Sequence, residues 1–416
     1  MTGEAEHTNK IPTPLKRSIS LPMIVLYGLG TTIGAGIYVL IGKVAAVAGL
    51  YMSVSFVIAS LLAVFTVLSF SELVARFPKS AGEAVYLHEG FGIRWLSLSI
   101  GLCVMFAGLI SSAAISRGFV GYLHEFFYVD DWLAIVLLVG ALGALAAWGI
   151  SESIAAAVVA TLVETGGLMF VIWVSRDSFT TLPGRISDFL PPFQVAEWSA
   201  ILAASILAFY AFIGFEDMVN VAEEVKDVRR NLPKAMILTL VVTTIFYVAL
   251  ALAATLSLSI DELSASRAPL ALLVEHHAGP EAASAIALVA LVAVLNGALI
   301  QIVMAARVIY GLSRQGWIPV IFSTVHPRFR TPLLATGMVT ACVMAFALWL
   351  PLATLAEITS VLTLFVFAAV NLALCRIKFR SDTEPGHFTI PLWVPGTGFI
   401  ACSGILLLRI FSALDF

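Results

Sequence analysis

After a polar opening, MTGEAEHTNKIPTPLKRS, the chain turns apolar at about Ile19 and from there alternates apolar runs of about 20 residues with short polar clusters. A helical run of that length crosses a hydrocarbon core of about 30 Å. The pattern predicts eleven spans, at roughly 19–42, 51–75, 95–122, 132–149, 153–174, 198–221, 235–258, 283–311, 333–350, 354–375 and 389–411. Residues 1–18 hold two prolines and no apolar signal-peptide core, so they read as a short disordered or surface-lying cytoplasmic tail. No polar stretch has room for a soluble domain. Residues 19–416 are therefore expected to form one all-α polytopic membrane domain.

Composition agrees with the pattern: 60% of the 416 residues are hydrophobic and 12% are charged, with a mean hydropathy of +1.01. A soluble globule, a disordered chain and a nucleic-acid binder are all excluded by such a balance. The net charge of -3 says less than where the charges fall. With the N-terminus inside, 17 lysines and arginines lie in inner segments against six in outer ones, the latter being Lys43, Arg117, Arg176, Arg185, Arg267 and Arg409. This bias predicts a cytoplasmic N-terminus in the cytoplasmic membrane, and the odd span count puts Phe416 outside. Cys103, Cys342, Cys375 and Cys402 have no metal-ligand or disulfide spacing, and His276 and His277 fall in a polar loop, so no metal or other cofactor is expected.

Two spans carry interruptions. GLGTTIGAGIYVLIG, from Gly28 to Gly42, sets Gly34 and Gly36 around Ala35 just after Thr31, Thr32 and Ile33. Such glycines serve either close helix packing or a local unwinding. An unwound stretch at membrane depth leaves N–H and C=O groups that only protein, water or a ligand can satisfy, which makes it a candidate site. In the sixth span, AFYAFIGFED places Gly214 near the centre, followed by Glu216 and Asp217. Intramembrane carboxyls cost several kcal/mol unless paired, protonated or facing a cavity; a shifted span would instead make them a helix cap.

Breaks in spans 1 and 6 imply a repeat of five spans, and an odd repeat must invert in the membrane. Repeats at about 19–174 and 198–375 would then cross their broken helices at the midplane, with 389–411 as an extra helix. Half-helix N-termini suit a carboxylate, and half-helix C-termini with unwound carbonyls suit an ammonium. A small zwitterion such as an amino acid is thus recognisable by backbone alone.

GTTIGAGIYVLIG resembles the first-helix signature of the amino acid-polyamine-organocation transporters, and FYAFIGFEDMVNVAEEVKDVRRNLPKAM (209–236) resembles their sixth helix and following loop, nearest to the cationic amino acid transporter-like branch. FSELVARFPKSAGEAVYLHEGFG (70–92) and AARVIYGLSRQGWIPVIFSTVHPRFRTP (305–332) are similar to two further family segments. The resemblance implies a LeuT-like five-plus-five fold with helices 1 and 6 interrupted, and alternating access for amino acids or related amines. It implies that Gly34, Ala35 and Gly36 hold the substrate carboxylate beside Thr31 and Ile33. Tyr210 would cover the substrate, while Phe209, Ala211, Phe212 and Ile213 line the carbonyl side that receives its amine. Glu216 matches a gating position. Many relatives have a twelfth span, which lies outside the ten-helix core and is missing here.

Glu164 falls where proton-coupled relatives place a lysine, and its depth in the fifth span permits a raised pKa and proton exchange, or a structural role. Asn296 and Gln301 either line a route or join helices, and Phe106 and Cys103 either border the pocket or pack. No HExxH, GxSxG, Walker or Ser/His/Asp grouping supports an enzyme. The expected function is amino acid transport, by proton symport or by exchange, with a channel or a non-transporting receptor as remoter classes.

Overall fold

The structure, a computed structural model, describes residues 17–79, 82–148, 154–314, 316, 318–327, 329, 331–380 and 388–414. The expected tail lies outside the described residues except for Arg17 and Ser18, as does Phe416. The elements are α1 (Leu21–Ala48), α2 (Met52–Arg76), α3 (Gly82–Phe91), α4 (Arg94–Leu123), α5 (Asp131–Trp148), α6 (Ile154–Val174), α7 (Leu182–Arg185) and α8 (Val195–Tyr210). There follow a 3-10 helix over Phe215–Glu224, then α9 (Val228–Ser257), α10 (Ile260–Ala265), α11 (Pro269–Ala278), α12 (Pro280–Arg314), α13 (Leu333–Trp349), α14 (Leu352–Arg380) and α15 (Trp393–Leu414).

Each of the eleven expected spans coincides with a long helix or, for the sixth, with α8 and the 3-10 helix after it. Judged by length and hydropathy alone, seven stretches suffice to cross a membrane, the first of which contains both α1 and α2. The fifth span bends by 50° into its 3-10 continuation, and α13 and α15 are shorter apolar helices. Glycine divides α1 from α2: Gly49 takes φ 57°, a left-handed torsion that stops α1 and lets the chain turn back.

Packing follows the five-helix period. α2 lies along α9, α4 along α12, α5 along α13 and α1 along α8, so helices five spans apart are neighbours. A LeuT-like fold of two inverted repeats has this arrangement. Small residues permit the close approaches: a Cβ on Gly143 of α5 would overlap Thr340 of α13, and one on Gly118 of α4 would overlap Val39 of α1.

Two regions expected to be loops are built instead. Residues 261–269 contain most of α10 and the start of α11, with Ser259 and Glu262 forming a reciprocal N-terminal cap. His276 and His277 belong to the last turn of α11, and the His277 ring lies 2.8 Å from the Ser257 hydroxyl. Segment 82–91 likewise forms α3, buried through Glu83, Tyr86 and Leu87.

Ion pairs fix the face where most arginines and lysines gather, called the basic face below. Fully buried Glu72 of α2 accepts from Arg76 Nη2 at 2.6 Å, from Lys378 Nζ of α14 at 2.6 Å and from the Ile390 amide at 2.9 Å. One carboxylate thereby ties α2, α14 and the lead into α15. At the opposite face Arg267 binds Asp131, and the Arg267 guanidinium holds that carboxyl below the usual range.

Candidate functional site

Both expected interruptions are present, and they face each other. α1 bends at Gly34, whose torsions (φ 12°, ψ −136°) leave the helix. Its second half starts at Ala35, where the first amides of a helix lack intrahelical acceptors and the dipole end is positive. The side chain of Ala35 lies outside the described residues. α8 ends at Tyr210, and the chain turns through Ala211–Gly214 before the 3-10 helix begins at Phe215. Gly214 takes φ 125°, and a Cβ there would overlap the Thr31 carbonyl oxygen, so glycine alone fits between the two breaks.

The second break keeps its amides occupied. Ala211, Phe212 and Ile213 donate to the carbonyls of Ala208, Phe209 and Tyr210, and Gly214 donates to Glu216 Oε2 at 2.8 Å. Glu216 therefore stops its own break from unravelling. Tyr247 of α9 supplies the remaining tie, its hydroxyl standing 3.0 Å from the Thr32 carbonyl and 2.8 Å from the Ala211 carbonyl. The first break thus offers N–H groups and the second C=O groups.

Between them is a cavity of about 30 Å³, lined from α1 by Thr31, Thr32, Gly34 and Gly36, and from the second break by Tyr210, Ile213 and Asp217. Ser111 and Ile115 of α4 and Gln301 of α12 complete its wall. The Thr32 hydroxyl, 3% exposed, has no hydrogen-bond partner among the described residues. Tyr210 spans the cavity to α4, with its hydroxyl 2.9 Å from Ser111 Oγ and donating to the Ser111 carbonyl at 3.1 Å. A second cavity of about 40 Å³ shares Ser111, Ile213, Asp217 and Gln301 and extends to Glu83, Glu216, Thr359 and Thr363. Each has room for about one or two waters, so the site is closed around its centre.

Closure is visible at both faces. On the basic face, Ser18 and Ile19 donate to the Glu224 carbonyl at 2.9 and 3.0 Å, and Lys226 donates to the Ile19 carbonyl at 2.9 Å. The entry to α1 is thereby joined to the chain that follows the second break. On the opposite face α10 and α11 lie over α1 and α4: a Cβ on Gly42 would stand 2.5 Å from the Leu263 carbonyl oxygen. Tyr122 donates to the Tyr38 carbonyl at 2.6 Å, and Tyr38 to the Glu164 carbonyl at 2.8 Å.

Not every sequence-chosen residue faces the cavity. Ile33 is fully buried in packing, as are Phe209, whose ring centre lies 5.9 Å from Phe367, and Phe212, 5.0 Å from Tyr247. Ala211 contributes its backbone, against which Gly36 packs so closely that a Cβ would stand 2.8 Å from Ala211 Cα. Glu164 is fully buried on α6 but lines neither cavity. Phe106 is 45% exposed and points away, while Val104, Ala107 and Gly108 of the same helix line the second cavity. Ser111, Glu83 and Tyr247 were not anticipated. Only Tyr247 had a signal to find, a lone hydroxyl in an otherwise apolar and threonine-containing run.

The sequence profile described as amino acid permease matches residues 19–414. The chain belongs to this family. Family membership marks it as a transporter and not an enzyme. The permease is 26% identical to the branched-chain amino acid permease BcaP of Bacillus subtilis (strain 168), over 94% of this chain and 88% of that one. Its identity with the vacuolar cationic amino acid transporter 4 of Arabidopsis thaliana is 30% over 89% of the permease, which spans 64% of that relative's length. A methylthioribose transporter of Bacillus subtilis (strain 168) is 26% identical over 96% of the permease and 88% of its own length. Among solved structures, a Na+-coupled sialic acid symporter in a substrate-bound, outward-open state superimposes with a TM-score of 0.63 at 14% identity, covering 96% of the permease and 90% of that chain. That likeness shows the fold.

Proposed function

We propose that this permease moves an amino acid across the cytoplasmic membrane by alternating access, driven by proton symport. The observation carrying the proposal is the pairing of the two breaks around one cavity, with amide donors at Gly34–Gly36 and carbonyls at Ala211–Ile213. A carboxylate and an ammonium on one small molecule match those two ends. Repeats 19–174 and 198–375 would rock against each other, and the positive-inside bias makes the basic face cytoplasmic. The names of the branched-chain and cationic amino acid relatives support the substrate class.

Thr31, Ile33, Gly34, Ala35, Gly36 and residues 209–213 form the proposed substrate site, Glu216 the gate and Glu164 the proton carrier. Burial supports Glu164, because a fully buried carboxyl favours its neutral form and a proton there changes the charge felt by α1 and α6. One observation favours a second reading. Glu83, Glu216 and Asp217 all border the second cavity, which suits a cationic side chain or amine and an exchange cycle without ion coupling.

The test uses proteoliposomes holding only this protein, loaded with or without internal amino acid. Symport predicts net uptake driven by an inward proton gradient, and Glu164→Gln should flatten its pH profile while leaving exchange. Exchange that ignores pH, with no net uptake, would reject proton coupling and keep the exchanger. No uptake of any amino acid in either mode would reject the assignment.

A further inference from the structure

Away from the central site, a groove of about 380 Å³ opens on the flank of the bundle between the end of α1, the start of α8, the start of α14 and the end of α15. Its walls are apolar: Val47, Leu202 and Leu207 on one side, Ile405 and Leu408 on the other. Two charges also border it, Glu357 of α14 and Arg409 of α15, joined through Arg409 Nε and Glu357 Oε1. The four helix ends all belong to the face opposite the basic one. The ion pair therefore lies near a membrane boundary, where charge is tolerated and headgroups begin.

The pair is incompletely used by its own bond. A guanidinium has five N–H donors and a carboxylate about four acceptor sites. Side-chain exposures of 41% for Arg409 and 29% for Glu357 leave both groups reachable. The result is an apolar trough ending in one fixed positive and one fixed negative charge. A volume of about 380 Å³ falls in the range of small-ligand sites, and Ala203 and Leu408 are exposed along the trough.

We propose that this groove binds one phospholipid with a primary-amine headgroup, its acyl chain in the trough, its phosphate on Arg409 and its ammonium on Glu357. Charge complementarity selects this occupant over other lipids. A choline headgroup has no N–H to donate to the carboxylate, and a glycerol headgroup brings the phosphate but no cation. Both would forfeit a charge-assisted hydrogen bond.

The test is native mass spectrometry of the purified full-length protein with equimolar phosphatidylethanolamine, phosphatidylcholine and phosphatidylglycerol of identical acyl chains. The wild type should retain a single phosphatidylethanolamine about tenfold over either competitor, the ratio expected for one charge-assisted bond. Glu357→Gln should erase the preference for amine over choline, and Ala203→Trp, which fills the trough without touching the ion pair, should remove the adduct. Equal retention of the three lipids by the wild type overturns the proposal without recourse to any variant, as does an undiminished adduct on a folded Ala203→Trp protein. A dimer dispersed by Ala203→Trp with no headgroup preference would overturn it too and give the groove to a second copy.

Discussion

The Tyr247 hydroxyl joins the two interrupted helices, standing 3.0 Å from the Thr32 carbonyl before the bend in α1 and 2.8 Å from the Ala211 carbonyl after α8. A phenol has one proton, so it donates to one carbonyl at a time and holds both arms within its reach. Tyr247→Phe leaves the ring packed against Phe212 and Phe56 and removes only the tie. Two buried carbonyls lose a donor, and thermal unfolding in detergent should report a loss of about 1–3 kcal/mol. An unchanged melting temperature would mean that water takes over the hydroxyl's place.

Tyr210 makes a similar double contact, with Ser111 of α4. Tyr210→Phe should therefore weaken substrate binding through loss of that anchor, by roughly 0.5–1.5 kcal/mol. Tyr210→Ala removes the ring as well and should cost more, about 3–5 kcal/mol in stability. Isothermal titration of both variants, with unfolding curves alongside, separates the hydroxyl from the ring. Equal behaviour of the two would locate the whole effect in the ring.

The glycines beside the bend should fail in a manner that their sequence spacing does not suggest. Gly36 meets backbone, not open space: its added Cβ would press on Ala211 Cα at 2.8 Å. Gly36→Ala should thus lower stability and substrate affinity together, by about 1–3 kcal/mol for an overpacked contact. Gly214→Ala should be worse, since φ 125° is strained for any side chain and the Thr31 carbonyl blocks the space. Thermal stability of the apo proteins is the measurement; intact stability with lost binding would show that the contact relaxes freely.

Glu83, on α3 between spans 2 and 3, gives a pH dependence with a definite sign. Burial, aided by nearby Asp217, outweighs a backbone hydrogen bond and lifts its pKa from the ordinary 4.5 to about 7. The folded state then holds a proton that the unfolded chain releases, so this group lowers stability as pH rises from about 4.5 to 7, after which the loss is complete. Glu216 and Asp217 border the same cavity from the other side. Glu83→Gln mimics the protonated form and should raise the melting temperature at pH 8 while changing little at pH 4.5. A constant difference across that range would assign the effect to packing.

The carboxylate that ties three segments on the basic face makes a separate prediction. Glu72→Ala strands Arg76 and Lys378 and frees the Ile390 amide, and should cost about 3–5 kcal/mol of stability as a broken buried ion pair. Chemical or thermal unfolding in detergent measures it. A loss below about 1 kcal/mol would place the pair in the solvent-screened class.

Much of this was readable in the chain, for identifiable reasons. Span positions follow from hydropathy because backbone at membrane depth must be helical or internally satisfied. Gly34 and Gly214 betrayed the breaks because only glycine combines small bulk with torsions off the helix. What pattern could not supply was direction. Phe209 and Tyr210 are adjacent and both aromatic, yet only Tyr210 lines the cavity, because successive helical residues point about 100° apart and the rotation of α8 is set by its neighbours. Ser111, Glu83 and Tyr247 come from three different helices, and their convergence is a tertiary fact without local trace.

The clasp that joins Ile19 to Glu224 and Lys226 is built wholly from main-chain groups. A fastening of this kind is blind to side-chain identity, so nearly any pair of sequences could close it and only proline, which lacks the N–H, would unpick it at residues 18, 19 or 226. The strength of the gate is then fixed by geometry that all twenty side chains share, while its timing is left to the groups around it. Substitutions in this stretch should alter how often the door opens without changing the latch itself.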